Sequence, residues 1–289
     1  MSSAPTVQRT AIVTGGAKGI GRAVSEHLAA SGWHVVLCGR DRAALDAATS
    51  QIRSRHGVEV LGVPLDLSQP GAVAELFSRW SRPEELPLAM VCGAADYGIL
   101  GPLEGVDFTA WKRSFDLNFF SVAEMLQRYL QVALRGAPAP RRRVVVMCGA
   151  GLGAAQVAGG VSAYSCAKSA LNRLVEVVHE EVHARGIDVN CVLPGLVNTG
   201  IVDQAIAAGP ALGELYQASL KARGGGGTAP EVAAETIAHL LGDACNGVSG
   251  RLISAKWDRR ALGSPAAVQS DPDLFRLRRI DNDLYGKLK

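Results

Sequence analysis

Tyr164 and Lys168 stand four positions apart in Tyr164-Ser165-Cys166-Ala167-Lys168, within a stretch whose pattern predicts a helix over residues 164–185. Residues at that spacing share a helix face, so both side chains reach one site. A lone phenol titrates near ~10 and is a poor acid or base at neutral pH. An ammonium beside it stabilises the phenolate and brings it toward the working range, which makes the pair an acid/base device. A second constellation binds rather than reacts. Thr14-Gly15-Gly16-Ala17-Lys18-Gly19-Ile20-Gly21 lies between a run of strand type and an amphipathic stretch. Glycines there permit a tight turn and close backbone approach to a pyrophosphate, whose charge is favoured at a helix N-terminus. The second strand ends in Gly39-Arg40, with no acid at that strand end to hold ribose hydroxyls. Arg40 offers a planar fork to a 2′-phosphate and Lys18 adds a second positive charge, so the pocket reads as one for NADPH rather than NADH.

The elements that must position these groups alternate regularly. Runs of strand type fall at residues 10–13, 34–38, 58–64, 88–92, 143–147, 188–193 and 250–254. Helical patterns fall between them, at 22–31, 42–56, 70–80, 108–134 and 164–185. Strands separated by helices imply parallel crossovers, hence an open sheet covered on both faces. The chain has 289 residues, 48% hydrophobic and 20% charged, with a net charge of +3. That excess is too small to make nucleic acid the main partner. No apolar run approaches the roughly eighteen residues of a membrane span, and no signal-peptide core opens the chain. The six cysteines show no metal or disulfide spacing and suit small buried hydrophobes in a reducing cytoplasm.

With the glycine loop and Tyr164-x3-Lys168, three further segments complete a resemblance to the short-chain dehydrogenase/reductase family, from about residue 10 to 254. Asp66-Leu67 resembles the pair that meets the adenine ring. Asn118 resembles the helix-borne asparagine of the active site. Pro194-Gly195-Leu196-Val197-Asn198-Thr199 resembles the segment that meets the nicotinamide amide through Val197 and the cofactor through Thr199. The resemblance implies a doubly wound α/β Rossmann fold with about seven parallel strands. It implies an NADP(H) site at Gly15, Lys18, Gly19, Ile20, Gly21, Arg40, Asp66, Leu67, Ala94, Val197 and Thr199, with Tyr164 and Lys168. In the implied chemistry Tyr164 protonates a carbonyl oxygen as hydride arrives at its carbon. Lys168 lowers the phenol pKa and holds ribose, and Asn118 anchors a water in the proton relay. A homodimer or homotetramer built through the long helices is also implied.

Two positions depart from the family pattern. Cys92-Gly93-Ala94-Ala95 stands where Asn-Asn-Ala-Gly is usual, and small residues there keep the sheet and pocket intact. After the strand at 143–147, Gly149 falls where a serine should bind the substrate oxygen. Such a donor is worth about two to three orders of magnitude in rate elsewhere. Three replacements are open: the hydroxyl of Ser162; a backbone N–H of the glycine-rich loop or a substrate hydroxyl; or none, leaving a weak or inactive enzyme. The second ranks first because the loop is so rich in glycine. His179-Glu180-Glu181-Val182-His183 matches a zinc-protease motif, but it lies turns away from the site and reads as a polar helix face, so no metal is expected.

The expected function is NADPH-dependent interconversion of a ketone and a secondary alcohol. The alternatives are a cofactor-retaining epimerase and a non-catalytic NADPH sensor. Residues 1–255 form the expected catalytic domain and 256–289 a C-terminal extension. Residues 200–223 form a helical lid, with a hinge at the four glycines 224–227. Asp203, Gln204, Glu214 and Tyr216 in the lid, with Lys256, Trp257 and Asp258, suggest a small polar substrate such as a sugar or aminocyclitol. The arginines of 137–143 are expected to be solvated.

Overall fold

β-Branched runs alternate with amphipathic helices through most of the chain, and the runs become strands, buried on both faces except at the β3 edge, where Leu61 is exposed. The computed structural model describes residues 9–80, 87–135, 140–149 and 158–277. In chain order it contains β1 (Thr10–Thr14), α1 (Gly19–Ala30), β2 (His34–Gly39), α2 (Arg42–His56), β3 (Val60–Pro64), α3 (Ala72–Arg79) and β4 (Ala89–Cys92). Next come α4 (Phe108–Phe115), α5 (Ser121–Ala133), β5 (Arg142–Met147), α6 (Ser162–Val182), β6 (Ile187–Leu193), α7 (Gly200–Ala208) and α8 (Glu214–Lys221). The rest are α9 (Pro230–Leu241), β7 (Leu252–Ser254), α10 (Arg259–Leu262) and α11 (Pro265–Ser270). The seven strands form one parallel sheet in the order β3-β2-β1-β4-β5-β6-β7. This is the doubly wound arrangement expected from the sequence.

Alternation along β1 divides the core in two. Ala11 and Val13 pack with α1, α2 and α9, while Ile12 packs with α3, α5 and α6 on the opposite face. Strand order reverses at β1 and β4, and the crevice beyond their C-terminal ends is where such sheets bind ligands. Asp41 shows how a connection is made: its carboxylate accepts from the Ala44 N–H at 3.0 Å, which caps α2.

The stretch 108–134 is helical as expected, with a π-turn, Asp116–Phe120, between α4 and α5. The widened turn carries Asn118. One expectation is corrected: the arginines at the start of β5 are not solvated. Arg142 and Arg143 are buried, Arg142 donating to the Ala133 carbonyl at 3.1 Å and Arg143 to Asp243 at 2.7 Å. Arg141 grips buried Asp188 through Nε and Nη2 at 2.6 and 2.8 Å. The C-terminal extension expected from residue 256 packs onto the domain. Through residue 277 it wraps: the Arg251 guanidinium donates to the carbonyls of Asp271, Pro272 and Leu274, and Leu262 and Val268 join the core. The Phe275 carbonyl accepts from the Leu252 N–H at 2.7 Å, so this segment covers the β7 edge of the sheet. Residues 1–8, 137–139, 150–157 and 278–289, on which parts of the sequence reading fall, lie outside the described residues.

Candidate active site

The turn from β1 into α1 has no room for a side chain at Gly15, Gly16, Gly19 or Gly21. A Cβ on Gly21 would stand 2.2 Å from the Gly15 carbonyl oxygen, and one on Gly19, whose φ is +52°, 2.7 Å from Thr199 Cγ2. Gly15 takes φ +70°, and a Cβ there would stand 3.1 Å from the Ala94 N. The Thr14 hydroxyl accepts from the Gly93 and Ala94 N–H groups at 3.0 and 3.2 Å, so small residues after β4 serve the same close approach. No side chain caps the N-terminus of α1 and no acid lies in its first turn. Its free N–H groups and positive dipole end are therefore available to an anion. These features fit the pyrophosphate of a dinucleotide.

From this loop a cavity of about 1100 Å³ runs to Tyr164 and beyond. Every cofactor residue expected from the sequence lines it except Asp66. The Asp66 carboxylate is turned into its own loop, accepting from the Ser68 N–H and hydroxyl at 3.0 and 2.7 Å. Leu65 and Leu67 line the wall instead. An acid, not expected from the sequence, stands just beyond the end of β2. Asp41 lines the cavity there, 2.5 Å from Lys18 Nζ. Arg40, half-exposed, lies 3.6 Å from the Asp96 carboxylate. Both cations expected at the 2′-phosphate are present on this wall, each with a carboxylate neighbour.

Tyr164 and Lys168 project from the first turns of α6, both buried. Lys168 Nζ donates to the Met147 carbonyl at 3.1 Å and lies 5.7 Å from the centre of the Tyr164 ring. Burial pushes the Lys168 pKa down. Burial pushes the Tyr164 phenol up, and the nearby Tyr97, Cys148 and Asp96 act in the same direction. That is opposite to the shift expected from Lys168, because removing the phenolate from water outweighs the ammonium's attraction. A phenol held protonated is a proton donor. Asn118, at the π-turn, does not line the cavity; its Nδ2 donates to the carbonyls of Asp96 and Ser114 at 2.8 and 2.9 Å. Its buried Oδ1 has no partner among the described residues.

Gly149 falls where the resemblance places it. Among the described residues, a Cβ added there would meet Tyr164 Oη at 3.2 Å and nothing else within 4 Å. Ser162 is not its replacement, because its hydroxyl accepts from Trp111 Nε1 at 2.9 Å and the residue does not line the cavity. The glycine-rich loop from residue 150 to 157 lies outside the described residues. Sequence reasoning missed Tyr97, whose ring stands edge-on to Tyr164 with centroids 4.9 Å apart. Nothing in the spacing of Asp96-Tyr97-Gly98 marks it, since the contact is made between a loop after β4 and a helix after β5. Tyr97, Val161, Tyr164, Ala205 and Leu212 form a third apolar cluster against which Ala95, Leu100, Ala158, Ile201 and Leu215 pack. The two histidines of the zinc-like motif are taken up elsewhere, His179 by Ser249 at 2.9 Å and His183 by Asp188 at 3.1 Å.

Comparison with known proteins agrees with this geometry. Residues 9–208 match the short chain dehydrogenase family. Cis-4-hydroxycyclohexanecarboxylate dehydrogenase of Sinomonas cyclohexanicum is 32% identical over 86% of this chain and 94% of its own. The rhamnolipids biosynthesis 3-oxoacyl-[acyl-carrier-protein] reductase of Pseudomonas aeruginosa is 29% identical, over 85% and 93%. Among solved structures, the Pseudomonas aeruginosa RhlG/NADP active-site complex superposes with a TM-score of 0.73 at 26% identity, covering 87% of this chain and 97% of that one.

Proposed function

Because the chain belongs to the short-chain dehydrogenase family, and is thus an oxidoreductase, we propose that it is an NADPH-dependent ketoreductase acting on a mainly apolar, ring-sized ketone. The observation that carries this reading is one continuous cavity, with the glycine-rich phosphate loop at one end and the buried Tyr164–Lys168 pair at the other. Along that cavity the loop would hold NADPH, which would supply a hydride for the carbonyl carbon. Tyr164 gives its proton to the carbonyl oxygen as the C=O π electrons move onto it. Lys168, anchored on the Met147 carbonyl, holds the nicotinamide ribose and replenishes the proton. Asn118 Oδ1 accepts a water of the relay, and Val197, Thr199 and Leu67 enclose the cofactor. A phenol biased toward its protonated form suits reduction better than oxidation.

The substrate class departs from the polar one expected from lid and tail. Asp203 pairs with Arg223, the Asp258 carboxylate accepts from the Ser254 N–H at 2.7 Å, and Trp257 is 74% exposed beneath Lys256. What stands beside Tyr164 is the apolar cluster of Tyr97, Val161 and Ile201. A relative named for a cyclohexane substrate is consistent with that wall. The segment α7–α8 is the lid over it. A homodimer or homotetramer formed through α4–α6 would cover Phe120 and Val177, which are otherwise exposed.

The decisive experiment is NADPH consumption by the purified protein against a panel of cyclic ketones and ketosugars. Turnover confined to the cyclic ketones is expected. Turnover confined to ketosugars restores the polar substrate class, and tight NADPH binding with no consumption moves the protein to the epimerase or sensor readings. Arg40→Ala should raise the KM for NADPH roughly tenfold and leave that for NADH little changed, measured by initial rates with each cofactor. The figure sits at the low end for a charge-assisted contact because Arg40 is half-exposed.

A further inference from the structure

We propose that Tyr97 is a catalytic residue whose phenol O–H gives the substrate carbonyl oxygen its second hydrogen bond, beside Tyr164, in place of the hydroxyl that Gly149 lacks. The inference rests on the ketoreductase reading and deepens it. A carbonyl oxygen that gains charge in the transition state is stabilised by every fixed donor aimed at it, and most strongly where water is excluded. Gly149 faces Tyr164 Oη and carries no side-chain donor, while Ser162, whose hydroxyl accepts from Trp111, does not line the cavity. Tyr97 lines the same cavity, is 6% exposed, and meets the Tyr164 ring edge-on at 73°. Among the described residues, no hydrogen bond is made by its hydroxyl. A hydroxyl without a protein partner among the described residues, on an otherwise buried ring at the wall of a ligand cavity, is placed for a ligand acceptor.

The loop that carries Tyr97 is held from several sides, as a preorganised donor requires. Asn118 Nδ2 donates to the Asp96 carbonyl at 2.8 Å, the Tyr97 N–H donates to Gln204 Oε1 at 2.8 Å, and the Ile99 N–H donates to Ser114 Oγ at 3.1 Å. Gly98, at φ +65°, packs so closely on Ser114 that a Cβ would stand 2.0 Å from its Oγ. Asn118 thus has a positioning role beyond any water it holds, and Gln204 ties the loop to the lid helix α7. Burial also keeps the Tyr97 phenol protonated, above the ordinary tyrosine value. Two phenols then donate to one oxygen, and only Tyr164 has Lys168 within reach to replace its proton.

Tyr97→Phe keeps the ring and removes only the O–H. The first readout is the carbonyl stretch, by infrared difference spectroscopy, of isotope-labelled cyclohexanone bound to the protein loaded with NADP. We expect a higher frequency in Tyr97→Phe than in the wild type, and a similar rise in Tyr164→Phe. The second is steady-state reduction of a cyclic ketone, where kcat/KM should fall by about 10²–10³-fold, chiefly in kcat, with the KM for NADPH unchanged. Gly149→Ser in the Tyr97→Phe background should recover part of the rate by restoring a donor on the other side. If Tyr97→Phe leaves both stretch and kcat unchanged while Tyr164→Phe shifts them, the proposal is wrong and the ketoreductase reading stands. A loss of rate with an unshifted stretch makes Tyr97 structural and also overturns it. If neither phenol variant moves the stretch and no ketone is reduced, the ketoreductase reading falls and takes this proposal with it.

Discussion

Tyr164→Phe should abolish ketone reduction, with kcat lowered by at least about 10²–10⁴-fold, while NADPH binding stays within a few-fold of wild type. The substitution removes one oxygen from a ring that remains packed against Tyr97 and Val161, so the fold is not challenged. What is lost is a group that combines burial, contact with the cavity and an ammonium neighbour able to return a proton. Initial rates test kcat, and fluorescence titration with NADPH tests binding. The pH profile adds a sign. Reduction needs the phenol protonated, and burial pushes its pKa above the ordinary tyrosine value of about 10. The Tyr164-dependent loss of rate should therefore lie on the far alkaline side, with no decline from this group between about pH 7 and 9. A Tyr164→Phe protein that retains most of its turnover would remove the proton donor from the proposed mechanism.

Gly21→Ala should have an equally large effect through a different cause. The added methyl would lie 2.2 Å from the Gly15 carbonyl oxygen and its carbon 2.7 Å away. Those atoms are backbone, fixed by the Gly15 N–H bond to the Cys38 carbonyl at 2.8 Å, so neither side can yield cheaply. The turn must open or α1 must shift, which spoils the approach to the pyrophosphate. Cofactor affinity should fall by more than about 100-fold, and the melting temperature should drop, since overpacking of this kind typically costs about 1–3 kcal/mol. Calorimetric titration with NADPH and a thermal melt measure the two effects separately. Unaltered affinity would mean that the loop is not the phosphate cradle.

These two sites were legible in the sequence for a simple reason. The Gly15-x3-Gly19-x-Gly21 turn and the Tyr164-x3-Lys168 helix turn are local, so their function is written in residue type at short spacing. Strands and helices were legible too, because the short run of β1, buried at every residue, and the apolar face of α2 are local consequences of burial. The arginines of β5 show the opposite case. Read locally, Arg141-Arg142-Arg143 is a solvated charge run, but Asp188 and Asp243 come from distant segments to meet it. Asp66 likewise had the right position by resemblance, yet its carboxylate closed a local turn with Ser68 and left the wall to Leu65 and Leu67.

The sequence by itself determined the doubly wound fold, the phosphate loop, the Tyr164–Lys168 pair and the missing serine at Gly149. Each is carried by chain periodicity or by residues a few positions apart. Only the tertiary structure decided the surroundings of that pair. It brought Tyr97 from the loop after β4 against Tyr164, engaged Ser162 with Trp111, and walled the site with apolar residues from α7 and the following turn. It also reversed the expected shift of the phenol, because desolvation is a property of everything packed around a group and not of its neighbours in the chain.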